Sequence, residues 1–259
     1  NWIQIRLIRT SWRRKVNGFK KKLRRYLSDV YQLQYGLLLL ALVCTLSCDN
    51  NDGFMPLGLE ENIHYDVKLI DKEKKEKLFK QSYSLYNKEY DRYTYIRSDG
   101  KLIEFKMNKN KIFIEKVEYT YKQFINLPQE KLYFENNNIL LKFPLRVGDN
   151  WITNDQTNLI MKLGYDRIYK TLLPIKVSNT IQGVEETVNI KEKTFKNCIQ
   201  VMSEGKTSYN PGPPLDVINI KIKQKQWYCP KYGLIKMVRE ESSDSETMGN
   251  IFYEKKIRL

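Results

Sequence analysis

The chain has 259 residues, of which 41% are apolar and 12% aromatic, enough for one large packed domain or two small ones. Its net charge of +15 is unevenly spread, because residues 1–47 hold ten basic residues and one acidic residue. From Cys48 onward, basic and acidic residues alternate along the chain. A nucleic-acid-binding domain gathers its basic residues into one stripe, so we expect solvated β-sheet surface and no nucleic-acid partner.

An uncharged apolar stretch follows the basic residues and runs from Gly36 to Ser47. A helix that crosses a membrane needs about 20 apolar residues, so a stretch this short is typical of a signal peptide. The alternative is a buried core helix, which would show polar positions every third or fourth residue. The stretch contains none. We therefore predict a basic segment plus signal helix over residues 1–47.

The segment before this stretch is longer than the basic region of an ordinary signal peptide. It begins with Asn1, and no methionine occurs before Met55. These observations favour a fragmentary or mis-started reading frame, so residues 1–30 are left out of the fold prediction.

The residues that end the apolar stretch are Thr45-Leu-Ser-Cys48. They resemble the lipobox of bacterial lipoproteins, in which a small residue precedes an invariant cysteine. The resemblance implies signal cleavage after Ser47 and a diacylglycerol on the Cys48 sulfur. Residues 49–53 are polar and turn-prone, so we predict a lipidated tether over residues 48–60. A secreted protein that is cut near Ser47 and carries no lipid is the alternative.

Residues 61–259 are predicted to form a β domain. Apolar and polar residues alternate here at period two, and turn dipeptides such as Asp99-Gly100 separate the runs. In Val217–Lys223 the alternation places three isoleucines on one face, which is antiparallel-sheet behaviour. We expect a mainly β fold with a curved antiparallel sheet, either a half-barrel-like meander or two similar half-sheets. The segment 72–80 reads as a charged strand or a short helix.

A repeated sequence pattern supports the arrangement with two similar half-sheets. The pattern of Pro56–Ile63 recurs with the same spacing in Pro144–Trp151. In each copy a Pro-Leu pair precedes an acidic residue, an asparagine and a bulky apolar residue, a pattern that favours a turn followed by a buried strand. The β domain would then divide into halves at residues 61–142 and 143–259.

Three motifs carry a family resemblance: Phe143–Trp151, Thr194–Val201 and Trp227–Lys236. In this order they resemble an uncharacterised, TapB-like family of exported bacterial β proteins. That family implies a curved antiparallel sheet and has no established activity. The residues themselves predict a hairpin in the third motif, because Pro230 removes a backbone donor and Gly233 supplies a position with positive φ.

The sequence contains no strong catalytic motif. His64 is the single histidine, which excludes metal sites with several histidines. Whether Cys198 and Cys229 can form a disulfide depends on the register of the hairpin that residues 194–204 and 217–228 are expected to form. That register puts Cys198 opposite residue 223, about 20 Å along the strand from Cys229, whereas a disulfide allows about 7 Å between Cα atoms. Two separate thiols are therefore favoured.

The resulting hypothesis is a non-enzymatic lipoprotein of the cell envelope, held on a membrane by acyl chains on Cys48 and facing the periplasm or the exterior. Its curved sheet would bind an apolar ligand or an envelope protein, with no cofactor and no metal. The candidate surface consists of four aromatic residues: Trp151, Trp227, Tyr228 and Tyr232. In such a hairpin, Trp227 and Tyr228 are more often core and rim residues than a ligand surface. The alternative function is an envelope hydrolase, which needs two carboxylates that converge in a cleft and have raised pKa values.

Overall fold

The computed structural model describes residues 54–55, 57–58, 60–119, 138–163, 167–170, 173–210, 212, 216–246 and 248–258. The predicted signal helix, the cleavage position Ser47 and the lipidation site Cys48 lie outside these ranges. Within them, β-strands make up nearly all of the regular structure, which confirms the mainly β prediction.

Six strands come from the first part of the β domain. They are β1 (Asn62–Ile70), β2 (Glu76–Glu89), β3 (Arg92–Arg97), β4 (Lys101–Asn108), β5 (Lys111–Tyr119) and β6 (Asn138–Lys142). Each pairs antiparallel with the strand before it, so they form a meander.

The second part contributes the remaining strands. They are β7 (Asn150–Gln156), β8 (Ile160–Leu163), β9 (Arg167–Lys170), β10 (Pro174–Ile190), β11 (Lys193–Tyr209), β12 (Ile218–Cys229), β13 (Gly233–Ser243) and β14 (Asn250–Arg258). Strands β8 and β9 form a separate two-stranded ladder, and all the others join one sheet in the order β6-β5-β4-β3-β2-β1-β14-β13-β12-β11-β10-β7. The β1–β14 ladder makes the sheet continuous across the two parts of the domain.

Local sequence explains why these strands form. In β12, Ile218 and Ile222 are buried while Asn219 and Lys221 between them are exposed, as the alternation predicted. Gly100 adopts a φ of 81° in the hairpin between β3 and β4, also as predicted. The two copies of the repeated pattern end where strands begin, since Asn62 is the first residue of β1 and Asn150 the first residue of β7.

The sheet curls until its two edge strands, β6 and β7, meet. Asn138 Nδ2 donates to the Asn154 carbonyl oxygen at 2.5 Å, and the Asn154 N–H donates to Asn138 Oδ1 at 2.9 Å. Beside them, Trp151 Nε1 donates to the Ile139 carbonyl oxygen at 3.0 Å. An asparagine amide offers a donor and an acceptor as a peptide group does, so Asn138 takes the place of one rung of a ladder. These side-chain contacts make up what we call the β6–β7 seam, and the sheet is close to a closed barrel.

A short segment before β1 packs into the apolar core of the curled sheet. Met55 and Leu57 are 1% and 4% exposed and belong to the apolar core, together with side chains of β1, β3 and β11. Phe54 packs on Phe143, with ring centroids 6.5 Å apart. The segment turns at Gly58, which has a φ of 74° and donates its N–H to the Met55 carbonyl oxygen at 3.0 Å.

Gly58 is expected to be intolerant of a side chain. A Cβ atom there would lie 2.8 Å from the carbonyl oxygens of Lys231 and Tyr232, and both are backbone atoms of the β12–β13 hairpin. Gly58→Ala should therefore lower the free energy of unfolding by about 2–3 kcal/mol, from left-handed strain plus overpacking. Gly148→Ala is the control, because Gly148 has a φ of 90° but nothing lies within 4 Å of its Cβ position. If urea denaturation gave Gly58→Ala and Gly148→Ala the same loss of unfolding free energy, the steric argument would be contradicted.

The structure corrects the prediction for the cysteines, because Cys198 and Cys229 form a disulfide. The prediction ended the outgoing strand of the hairpin near residue 204, whereas β11 continues to Tyr209. This extension shifts the register so that Ile199 pairs with Tyr228. Cys198 then lies opposite Cys229, with the two Cα atoms 4.1 Å apart.

Candidate functional site

The curled sheet forms a cavity of about 590 Å³ among the described residues, and the cavity is partly open to solvent. Strands of the first part of the domain, with β14, give it a mainly apolar wall. This apolar wall consists of Leu69, Phe79, Ile114, Ile139, Leu140 and Ile251. Strands β7, β10, β12 and β13 give it a mainly polar wall that Val177 and Met237 interrupt. This polar wall consists of Thr153, Asn154, Asp155, Asn158, Asn179, Gln224, Gln226, Arg239 and Glu241.

A charged cluster organises the polar wall around Arg239 of β13. Its Nη1 donates to Asp155 Oδ2 at 2.5 Å, and its Nε donates to Glu241 Oε1 at 2.7 Å. Its Nη2 donates to the Gln156 carbonyl oxygen at 2.7 Å. Glu241 in turn accepts the backbone N–H and side-chain amide of Asn158, at 2.7 and 2.9 Å. The cluster therefore ties the end of β7 to β13 across the inside of the sheet.

Electrostatics keeps the Arg239 guanidinium charged. Burial alone would lower its pKa, but the neighbouring carboxylates of Asp155 and Glu241 raise the pKa above its ordinary value. With one cation and two carboxylates, the cluster has no positive charge left to attract an anion. Its first effect is to fix the polar wall in place.

Next to the polar wall, the cavity has a positively charged floor, to which β14 contributes Lys255 beside β13. Arg97 and Gln81 line the cavity beside the apolar wall. Beneath them, the hydroxyl of Tyr83 donates to Gln81 Oε1 at 3.0 Å and accepts from Lys255 Nζ at 2.8 Å. The Lys255 side chain is 5% exposed, and its ammonium lies over the Tyr65 ring, 4.2 Å from the centroid. Burial lowers the pKa of Lys255.

The comparisons with known proteins give two solved structures. One is a Bacteroides fragilis protein described as exported and as having a YmcC-like fold. It is 14% identical, with 80% of this chain and 100% of that chain covered and a TM-score of 0.41. The other is described as a lipoprotein from Parabacteroides distasonis. It is 12% identical, with 80% of this chain and 98% of that chain covered and a TM-score of 0.36.

No family model matches the chain, and no curated protein matches it. The resemblance to TapB-like exported proteins therefore stays a prediction. What the site does has to be argued from the residues of this chain.

The structure places the four predicted aromatic residues in packing positions, and the cavity lining includes none of them. Trp151 and Tyr228 are 7% and 2% exposed and belong to one apolar cluster. Trp227 packs at the edge of the core under the ammonium of Lys236, which lies 5.1 Å from its ring. Tyr232 stacks edge-on against Phe195 with ring centroids 5.0 Å apart.

Sequence reasoning missed the residues that line the cavity, although one signal pointed to some of them. If the alternation of β12 is continued beyond Ile222, Gln224 and Gln226 fall on the same inward face. Polar residues on an inward face indicate a cavity or a buried network rather than a plain core. Nothing in the sequence shows that Arg239 reaches β7 from the other side.

The described part of the chain lacks two features, a metal-ligand cluster and a membrane-spanning helix. No group of three or more histidine, cysteine, aspartate or glutamate side chains there is placed to hold a metal ion. Among the described residues there is also no helix that is long and apolar enough to cross a membrane.

Proposed function

We propose that this protein is a lipid-anchored component of the bacterial cell envelope that binds an amphipathic ligand inside its curled sheet. The cavity with one apolar and one polar wall carries the proposal. Pockets for small molecules have volumes of about 300–1,000 Å³, mostly apolar linings and a few placed polar groups. The apolar wall would bury the chain of the ligand, and the amides of Gln226 and Asn179 would face its polar part.

The anchoring part of the proposal rests on the sequence around Cys48 and on the packed segment that follows it. Met55 and Leu57 are buried, which leaves residues 49–53 as the linker to an acylated Cys48. Five residues span at most about 18 Å. The domain would thus stay close to the membrane from which an amphipathic ligand can be exchanged.

The alternative function, an envelope hydrolase, draws on a pair of carboxyl groups on β4 and β5. The pKa of Glu104 is raised by burial and by the neighbouring Glu115. The pair lies on the face opposite the buried Phe105, and Arg92 approaches Glu115 with an N–O distance of 3.0 Å. Because this pair is surrounded by cations on the outer face and not placed in the cavity, we prefer the binding function.

The anchor is tested by expressing the full chain in a bacterium and analysing the membrane fraction by mass spectrometry. We expect a mature N-terminal Cys48 that carries acyl chains, and a Cys48→Ala variant that no longer fractionates with membranes. An uncleaved chain, or a wild-type protein found soluble inside the cell, would refute the proposed location.

The binding site is tested by filling it. We expect a bound amphiphile to be detected by native mass spectrometry of the full-length Cys48→Ala protein. Gln226→Trp should remove it, because residue 226 lines the cavity. Lys225→Trp is the matched control, since Lys225 is next to Gln226 in the chain and is exposed on the other face of β12. Loss of binding in both variants, or in neither, would contradict the assignment of the cavity.

A further inference from the structure

The floor of the cavity contains a buried cation with no carboxylate partner among the described residues. Lys255 is 5% exposed, and its contacts are the Tyr83 hydroxyl at 2.8 Å and the rings of Tyr65 and Tyr83, with centroids at 4.2 and 4.5 Å. A hydroxyl and two ring faces do not neutralise an ammonium. Buried charges in proteins are usually paired, and an unpaired one lowers stability and is a mark of functional sites.

Two hydrogen bonds in series connect the ammonium of Lys255 to the cavity. Tyr83 accepts from Lys255 and donates to Gln81, and Gln81 lines the cavity. Arg97 lines the cavity at the same place and adds a second cation, whose Nε and Nη2 face Asp99. Asp71 and Lys77 also line the cavity on this side, so two carboxylates (Asp99 and Asp71) stand against three cations (Lys255, Arg97 and Lys77).

The polar wall has the reverse balance, because Asp155 and Glu241 share the single cation Arg239. A negatively charged group inside the cavity would be repelled by the polar wall and attracted by the floor. Beside the floor lie Leu69 and Phe79 of the apolar wall, against which an apolar chain can pack.

We propose that the ligand is an amphiphile with an anionic head group, which lies at Arg97 and Gln81 above Lys255 while its chain lies along the apolar wall. This proposal rests on the proposed binding function and names its ligand class. The anion is a carboxylate or a phosphate, since the Arg97 guanidinium gives both the same charge-assisted hydrogen bonds. Lys255 adds positive charge behind this position through Tyr83 and Gln81.

The test uses the full-length Cys48→Ala protein and four single-chain probes below their micelle concentrations, followed by calorimetry. The probes are dodecanoate, monododecyl phosphate, dodecanol and dodecyltrimethylammonium. We expect both anions to bind at least about tenfold more tightly than the alcohol, and the cation to bind most weakly. The stronger of the two anions identifies the head group.

Two variants on neighbouring positions locate the charge. Lys255→Met should reduce the preference for dodecanoate over dodecanol, of which Arg97 keeps a part, and leave dodecanol binding unchanged. Lys256→Met is the matched control, because Lys256 is 41% exposed and pairs with Glu254 at 2.9 Å. Lys255→Met should also keep or raise the thermal midpoint, since it removes a buried charge and no ion pair. A purely structural lysine would give a lower midpoint and unchanged selectivity.

The outcomes separate this inference from the proposed function. Equal affinity for dodecanoate and dodecanol in the wild type would overturn the anionic head group and leave the cavity as an amphiphile site. Failure of all four probes to bind would overturn both proposals. If Lys255→Met does not fold, the affinities of the wild type for dodecanoate and dodecanol still decide whether the head group is anionic.

Discussion

Replacing Arg239 with alanine is expected to lower the free energy of unfolding by about 3–5 kcal/mol. The guanidinium is 7% exposed and contacts the carboxylates of both Asp155 and Glu241. Without it, Glu241 keeps the hydrogen bonds from Asn158 but remains a charge that is 2% exposed and has lost its cation. Urea denaturation of the variant and the wild type, followed by circular dichroism, measures the difference.

A surface arginine in a similar ion pair provides the control. Arg92 lies 3.0 Å from Glu115, but its side chain is 47% exposed, so Arg92→Ala should cost at most about 1 kcal/mol. A triple variant that replaces Arg239, Asp155 and Glu241 by methionine or leucine should recover most of the lost stability, because no charge stays buried without a partner. Equal losses for Arg239→Ala and Arg92→Ala would contradict the special role of the buried cluster.

The cluster also explains how the cavity is bounded. Strand β7 is an edge of the sheet, so backbone pairing holds it on one side, through β10. On its other side Asn138 and Trp151 hold it at the β6–β7 seam, and Arg239 holds its end from across the cavity. Three side chains therefore do what a backbone ladder between β6 and β7 would do in a closed barrel.

The fold could be predicted well from the sequence because its cause is local. The alternation from Ile218 to Ile222 puts apolar side chains on one face, and that face has to be buried. Turn residues such as Gly100 then mark where the chain reverses. For residues 72–80, Asp71 accepts the backbone N–H groups of Glu73 and Lys75, both at 3.0 Å, in a turn that leads into β2, so the helix alternative was wrong.

The cavity could not be predicted in the same way, because its cause is long-range. Arg239 and Asp155 are 84 residues apart, and Lys255 and Tyr83 are 172 residues apart. Which strands meet depends on how far the sheet curls, and the alternation of a single strand carries no information on that. The sequence therefore pointed to aromatic side chains, which are the most visible residues, while the cavity is lined by amides and charges that look like ordinary surface.

For the disulfide, an error in the predicted position of one turn changed the predicted pairing of Cys198 and Cys229. The position of a turn sets the register of the whole hairpin, and a shift of the turn moves every cross-strand partner. Because β11 extends to Tyr209, the thiols that seemed about 20 Å apart along the strand lie opposite each other. The bond then joins β11 to β12 inside the largest apolar cluster, where Cys198 and Cys229 are 0% and 1% exposed.

Removing this bond by the double substitution Cys198→Ala and Cys229→Ala is expected to lower the free energy of unfolding by about 3–4 kcal/mol. The estimate follows from the entropy that a cross-link over 31 residues removes from the unfolded chain. Wild-type protein that is reduced in urea and refolded with a reductant should be destabilised by about the same amount, whereas the reductant should leave the double variant unchanged. The free thiols of Cys198 and Cys229 are counted by alkylation of the unfolded, unreduced wild type. Alkylation at both Cys198 and Cys229, located by peptide mass spectrometry, together with a midpoint that does not respond to reductant, would restore the prediction of separate thiols. The paired register of β11 and β12 would then be held by the ladder alone.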